Sequence, residues 1–437
     1  MSTSRIVHLA ELISSKTAII DTYISDNGLS PPSFHPDCPA DPIEDADVVK
    51  AKNEVLEATI ELRQLLGGPM KLLLPESNFA PLAAIYEFNI ASKVPLGSSI
   101  SFTDLAPRCN LLEHDLRRII RYAAVHHRVF SEPKKGFVAH TAASKLLAQN
   151  PVARDLMGLT FQECWPAHGR AIEAMAQKSE DASVSGYALA NNFTSSTRNT
   201  FQFLSEHPIR AQQFARAMSS TSKASMDALC NNFDWTQIPT GSTVVDIGGS
   251  QGHVSVHLAQ KYPHLQFVVQ DLAEVVEGAA VRLPVDVKER VEFMAHDMFT
   301  EQPVRDAEVY LLRFVLHDWQ DPYCVDVLQK LVPGLKNGAR VVIQEHLLPE
   351  PGAMTLLQEM QVRYVPSDPE WPMFLTITHS APSSMDAIML SLFNSRERDQ
   401  EDWMQLFAAA STKFKFFTVH RIEESPTTGI ITAQWSG

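Results

Sequence analysis

Thr243-Val244-Val245-Asp246-Ile247-Gly248-Gly249-Ser250-Gln251-Gly252-His253 is the stretch that decides how this chain folds. Its first five residues form an apolar, β-branched run that reads as a buried strand. A Gly-rich turn follows, and HVSVHLAQKY beyond it has helical spacing. Gly248 and Gly249 permit positive backbone angles and let a ligand approach the main chain closely. The helix that opens near Gln251 turns its free amides toward that ligand. Glycine is scarce here, 18 in 437 residues, so such a turn stands out.

The same strand-then-helix alternation continues toward the C-terminus. QFVVQDL, VEFMAHDMF, EVYLLRFVLHDW and ARVVIQEHL are Val- and Ile-rich runs, with helical stretches such as PYCVDVLQKLVPGLKNG between them. This alternation implies a parallel sheet covered on both faces, an α/β Rossmann-like domain. Ligands on such sheets bind beyond the carboxyl ends of the strands, so the polar residues at those ends are the candidates.

Three acids stand there. Asp246, beside the glycine turn, would repel a pyrophosphate but attract the ammonium of an amino acid. Asp271 closes the next run, at the distance from the turn where an acid binds ribose hydroxyls, with Leu272 beside it. Asp297 closes the third, where it can accept from an adenine amino group, with Met298 and Phe299 flanking the ring. A ligand with adenine, ribose and a cationic amino-acid tail is S-adenosylmethionine. The competing readings are a dinucleotide such as NAD, and a ligand-free fold in which these acids merely cap helices.

The N-terminal half reads differently. Residues 1–24 read as an amphipathic helix, interrupted by Glu11 and Asp21 and therefore unlike a signal peptide. A Pro-rich linker covers 29–42. Residues 100–141 give a short helix, a second helix with Leu116, Ile119, Ile120 and Ala123 as its buried stripe, and a hairpin turning at Pro133-Lys134-Lys135-Gly136. That is a winged-helix pattern. A DNA-reading helix would begin with basic or amide side chains; this one begins Glu113-His114-Asp115, which favours a packing or dimerisation role. Residues 150–235 look all-helical, with Phe193, Phe201, Phe203 and Phe214 as core or pocket aromatics.

The set VVDIGGSQGH, QDL, HDMF, LLRFVLHDWQD, QEH and FNSRERDQEDW resembles the plant- and fungal-type small-molecule O-methyltransferases, in the fungal secondary-metabolite branch. The family often has a third consecutive glycine where Ser250 stands. The resemblance implies S-adenosylmethionine as cofactor, held by Asp246, Gly248, Gly249, Gly252, Asp271, Leu272, Asp297, Met298 and Arg313. It implies an aromatic or polyketide hydroxyl as methyl acceptor, a pocket including Met389, Phe393 and Asn394, and no metal. It also implies that residues 1–190 form a helical, winged-helix homodimerisation domain and 191–437 the methyltransferase domain.

Methyl transfer to a phenol needs removal of a proton from a hydroxyl of pKa ~10 and alignment of oxygen, carbon and sulfur. His317, just past the fourth apolar run, is the candidate general base. The resemblance assigns Glu345 and Glu397 as the carboxylates that orient it. Asp318 and Trp319 are expected to cap and pack the following helix. Two same-fold alternatives are a pericyclase-like enzyme that keeps the cofactor without transferring methyl, and a winged-helix binding protein. Residues 364–383, YVPSDPEWPMFLTITHSAPS, depart from the family and read either as a lid over the substrate or as a translated, unspliced intron.

Composition narrows the remaining classes. A net charge of −14 and pI near 5.6 argue against a general nucleic-acid binder. Five scattered cysteines with no CxxC pair argue against a disulfide framework or zinc ribbon. No apolar run is long enough to span a membrane, so the sequence reads as a soluble, cytoplasmic protein.

Overall fold

The computed structural model describes all residues except 1–3, 40–42, 75–77, 180, 182, 194–198, 220–222, 351, 355–384 and 423–426. The segment 364–383 therefore lies outside the described residues. The chain divides into two compact units. One comprises residues up to Gln162 with Gln213–Ala217, and the other Glu163–Gln212 and the described residues from Met218 onward.

In the first unit, long helices Arg5–Asp26 and Ala46–Gly67 pack on one another. Asp45 caps the second helix by accepting from the amides of Asp47 and Val48. Strand β1 (Ile100–Ser101) leads into helix Phe102–Cys109, whose first turn is capped by Ser101. Helix Glu113–His126 follows, then β2 (Ser131–Lys134) and β3 (Phe137–Ala139), in sheet order β1-β3-β2. The hairpin turn is shorter than expected, because β2 runs on through Lys134 and only Lys135 and Gly136 make the turn. Gly136 has φ +89° there. Leu116, Ile120 and Ala123 are fully buried in the unit's core, and Ile119 packs at its edge. Glu113 is engaged by Arg117 and Thr103, so the acidic start of this helix is paired internally.

The second unit holds a seven-stranded sheet. Its strands are β4 (Thr243–Ile247), β5 (Gln266–Asp271), β6 (Val291–Ala295), β7 (Val309–Arg313), β8 (Arg340–His346), β9 (Phe414–Arg421) and β10 (Thr428–Trp435). The spatial order is β6-β5-β4-β7-β8-β10-β9. The first five in that order are parallel, whereas β10 runs antiparallel between β8 and β9. The sheet is thus mixed, not purely parallel: the final hairpin extends it by two strands.

Both faces are apolar, which explains the Val- and Ile-rich runs. Val245, Ile247, Tyr310, Leu312, Val341 and Ile343 point into one core, against Leu328, Trp403 and Phe407. Their strand neighbours Val244, Val309, Leu311 and Val342 point into the other, against Trp235, Leu258 and Leu265. The parallel strands bring all their carboxyl ends to one edge, carrying Asp246, Asp271, Arg313, Glu345 and His346 there. Among the described residues no helix is long and apolar enough to cross a membrane.

Candidate active site

The glycine turn is shaped by what its residues lack. Gly248 (φ +68°) and Gly252 (φ +76°) take left-handed backbone conformations. A Cβ on Gly249 would come within 2.7 Å of the Asp246 carboxyl carbon and 2.8 Å of Val269. Ser250, where the family often has glycine, adopts φ +51° all the same. Its amide donates to Asp271 Oδ2 at 2.8 Å, while Asp271 Oδ1 accepts the Leu272 amide at 2.8 Å. Each Asp271 oxygen keeps a lone pair for a further donor.

Asp246 is 1% exposed and accepts from Ser255 Oγ at 2.7 Å. Burial raises its pKa to about 6, against the opposing pull of Ser255 and the Arg313 charge. A cation brought to this carboxylate would restore its ionised form. Asp297 lies two residues past the end of β6, exposed, with Oδ1 accepting the Phe299 amide at 3.0 Å. Met298 is partly buried in the same loop. Arg313 Nε donates to Gln344 Oε1 at 2.9 Å, and its guanidinium lies 4.7 Å from the Phe314 ring. Burial lowers its pKa to about 10, with Asp246 and Glu345 opposing. The residues present fit a nucleoside ligand with a cationic tail: a cradle closed to any Cβ, carboxylates at three strand ends, and backbone amides between them.

His317 sits in a single 3-10 turn, Leu316–Asp318, just past β7. It is 8% exposed, and Nδ1 lies 2.9 Å from Glu397 Oε1 and 3.6 Å from Glu345 Oε2. With a carboxylate accepting at Nδ1, the Nε2 lone pair is the one available for a proton. Burial, the largest single influence, disfavours the imidazolium. Glu345, Glu397 and Asp318 outweigh it and raise the His317 pKa to about 10.

Glu345 does more than orient a ring. Its Oε1 accepts from the main-chain amides of Val315, Leu316 and His317 at 2.9, 2.8 and 3.3 Å, so it holds the turn as well. Burial raises its pKa, while the depressed pKa of Glu397 reflects His317 and His346 overcoming a larger opposing effect of burial. Asp318 departs from expectation: Gln320, not Asp318, is the N-cap of helix Asp321–Leu331. Asp318 Oδ1 instead lies 3.7 Å from His317 Nε2, and burial raises its pKa to about 7. Trp319 does pack, edge-on to Phe299 at 4.6 Å.

His317, Glu345 and Glu397 each offer a donor atom within 4.8 Å of the others, the only such cluster with metal-site spacing among the described residues. Two of the three, His317 and Glu397, are joined by the hydrogen bond at Nδ1.

Of the expected pocket residues, Met389 and Phe393 are buried on helix Met385–Phe393, one turn apart. Phe393 stacks on Phe201 at 5.3 Å, and Phe201 approaches Trp319 at 6.4 Å. Phe203 joins the Tyr187 and Phe193 cluster instead. The Asn394 amide donates to the Ser179 carbonyl at 2.8 Å. Sequence reasoning misses Ser395, Arg398 and His346. His346 is buried, stacks on Phe314 at 4.9 Å and lies 6.0 Å from the His317 ring. Its place next to Glu345 is the signal that could have found it.

Comparison with known proteins agrees with this geometry. A profile of the O-methyltransferase domain matches residues 187–413. The chain is 39% identical to the grayanic acid biosynthesis cluster O-methyltransferase of Cladonia grayi, over 99% of this chain and 88% of that protein. The crystal structure of OxaC superposes with a TM-score of 0.74 at 18% identity, covering 99% of this chain and 100% of that one. The structure of LepI in complex with SAM does so with a TM-score of 0.65 at 22% identity, covering 97% and 99%.

Proposed function

This chain belongs to the plant- and fungal-type O-methyltransferase family, and from that premise we propose that it methylates a hydroxyl of an aromatic or polyketide secondary metabolite, with S-adenosylmethionine as donor and His317 as general base. The observation that carries this reading is the buried His317–Glu397 pair at the carboxyl end of β7, on the same sheet edge as the glycine cradle. When bound, S-adenosylmethionine supplies an electrophilic methyl on a sulfonium whose leaving group is a neutral thioether.

Gly248, Gly249, Gly252, Asp246, Asp271, Leu272, Asp297, Met298 and Arg313 would hold the cofactor. The protein's part in the chemistry is then proton removal and alignment. His317 Nε2 takes the hydroxyl proton, and Glu397 keeps Nδ1–H fixed, which selects the reactive tautomer. A phenol loses its proton near pKa ~10, and the conjugate acid of His317, raised to about 10, is matched to it. Met389, Phe393 and Phe201 offer apolar and aromatic surface to a flat acceptor.

Residues 1–190 would serve as the dimerisation part and 191–437 as the methyltransferase part. Exposed Leu65, Leu66, Met70, Leu72, Leu73 and Leu74 support an apolar contact with a second copy; light scattering on the purified protein tests it. The reaction is tested by incubating the enzyme with methyl-labelled cofactor and a panel of phenols. Label should appear in an ether product. Conversion of a substrate without label would overturn methyl transfer.

A further inference from the structure

The turn that carries His317 is too short to hold itself. A single 3-10 turn makes few main-chain bonds of its own, here from the Asp318 amide to the Val315 carbonyl at 3.3 Å and from the Trp319 amide to the Leu316 carbonyl at 3.1 Å, and Leu316 and His317 are buried, where an unpaired amide or carbonyl is costly. Glu345 takes the amides. The carbonyls of Leu316 and His317 accept from a segment about eighty residues later, the Leu316 oxygen sharing that role with the Trp319 amide and the Cys324 thiol.

Arg398 is 1% exposed. Its Nη1 donates to the Leu316 carbonyl at 3.1 Å and its Nη2 to the Trp319 carbonyl at 2.7 Å. Nε and Nη2 both donate to Asp321 Oδ1, at 2.9 and 2.8 Å, which neutralises the buried guanidinium and ties it to the next helix. The face of Trp403 lies 5.6 Å from its central carbon. Ser395 Oγ donates to the His317 carbonyl itself and lies 3.1 Å from that of Trp319. The segment is anchored in turn, because Leu347 and Arg398 form a parallel bridge and the Leu348 amide donates to the Arg398 carbonyl at 3.0 Å. Glu397, the partner of the imidazole, lies between the two clamping residues in sequence.

We propose that Arg398 and Ser395 are positioning residues for methyl transfer, clamping the carbonyls of the His317 turn so that the imidazole meets both Glu397 and the substrate hydroxyl. The proposal rests on the reading of His317 as the base. Arg398 acts through its fork: the planar guanidinium reaches two carbonyls and a carboxylate at once, which an ammonium of equal charge does not. Ser395 acts through a single hydroxyl.

The test compares Arg398→Lys, Ser395→Ala and His317→Ala with the native enzyme. It measures kcat and KM for a phenolic acceptor, cofactor affinity by calorimetry, melting temperature, and kcat against pH. A displacement of the base of about 1 Å costs on the order of 10²-fold in rate. Arg398→Lys and Ser395→Ala should therefore lower kcat by about 10- to 100-fold, with KM and cofactor affinity within about twofold of native. The pH midpoint should move to lower pH as the imidazole loosens from Glu397, with Glu345, Asp318, His346 and Arg313 still around it. Native kcat and an unmoved midpoint, with only the melting temperature reduced, would overturn the proposal. If Arg398→Lys does not fold, Ser395→Ala decides by the same readouts. An active His317→Ala overturns the base reading itself, whereas an inactive His317→Ala beside unaffected clamp variants overturns the clamp alone.

Discussion

The loop after β4 and the turn after β7 lie at the carboxyl ends of neighbouring strands, yet they reach their shapes by opposite means. The loop is encoded locally: Gly248, Gly249 and Gly252 leave out side chains that Val315, Asp246 and Phe293 would meet. The turn is encoded at long range, its amides held by Glu345 and its carbonyls by Ser395 and Arg398. Each contains one non-glycine residue forced to φ +51°, Ser250 in the loop and Phe314 at the entry to the turn. Cofactor binding and proton removal should therefore fail separately.

The sharpest break is His317→Ala. Loss of a general base costs about 10²- to 10⁴-fold in kcat, and the hydrogen-bond partner of this ring, Glu397, lies outside the glycine loop. Cofactor affinity measured by calorimetry should stay within about twofold of native, an estimate that treats the two sites as independent. Parallel loss of both quantities would show that the two regions are one cooperative unit.

Gly249→Ala should give the converse. The new methyl meets the Asp246 carboxyl carbon and Val269 at 2.7 and 2.8 Å, and overpacking of this kind costs about 1–3 kcal/mol. The strain arises within the protein, so the melting temperature should fall even without cofactor. Cofactor affinity should weaken by about tenfold or more, while the pH midpoint of kcat is unchanged. An unaltered melting temperature would mean that the loop relaxes freely.

The same contrast decides how much of each region is legible in the sequence. The loop is legible because glycines clustered after a β-branched strand mark a turn where backbone must come close to something else, and Asp246, Asp271 and Asp297 fall at predictable strand ends. His317 and its two carboxylates emerge from the order of the motifs. Arg398 does not, because Arg-Glu-Arg-Asp reads as a solvated charge run until the fold buries one of its members. Glu345 reads as the partner of the imidazole, and only three-dimensional contacts show it capping three amides. The last hairpin escapes notice although Gly429-Ile430-Ile431-Thr432-Ala433-Gln434-Trp435 has the β-branched content of a strand, since no helix separates it from β9. Asn394 is expected in the pocket by resemblance alone, and the bond from its amide to the Ser179 carbonyl is not legible in the sequence.

Titration gives an intermediate effect on the turn alone. The base must be neutral to accept a proton, so kcat should rise with pH above neutrality, toward the His317 value of about 10. Stability runs the other way. A pKa raised from 6.5 stabilises the fold fully below 6.5, and that contribution is lost as pH climbs toward 10. Between pH 7 and 10 the enzyme should therefore become faster and less heat-stable together. Glu397→Gln removes one of the charges that raise this pKa, so the midpoint of the rate profile should move to lower pH. A midpoint that stays in place would assign the titration to a group that does not feel the Glu397 charge, which excludes both His317 and Asp318.

The smallest expected effect lies in the loop, at Ser250. A left-handed residue with a side chain costs about 1–2 kcal/mol relative to glycine, and Ser250 sits at φ +51° with its side chain exposed. Glycine would relieve that strain but give the unfolded chain more freedom, which takes back about 0.4–1 kcal/mol. The amide that donates to Asp271 is kept in either case. Ser250→Gly should thus raise the melting temperature slightly, by a net stabilisation of about 1 kcal/mol or less, with kcat and its pH midpoint unmoved. Phe314 has the same backbone angle but stacks on His346 and approaches His317, so the corresponding Phe314→Gly should lose catalysis as it relieves strain. If Ser250→Gly instead lowers the melting temperature, the loop is held by contacts of that side chain, and the cofactor region is less locally encoded than its glycines imply.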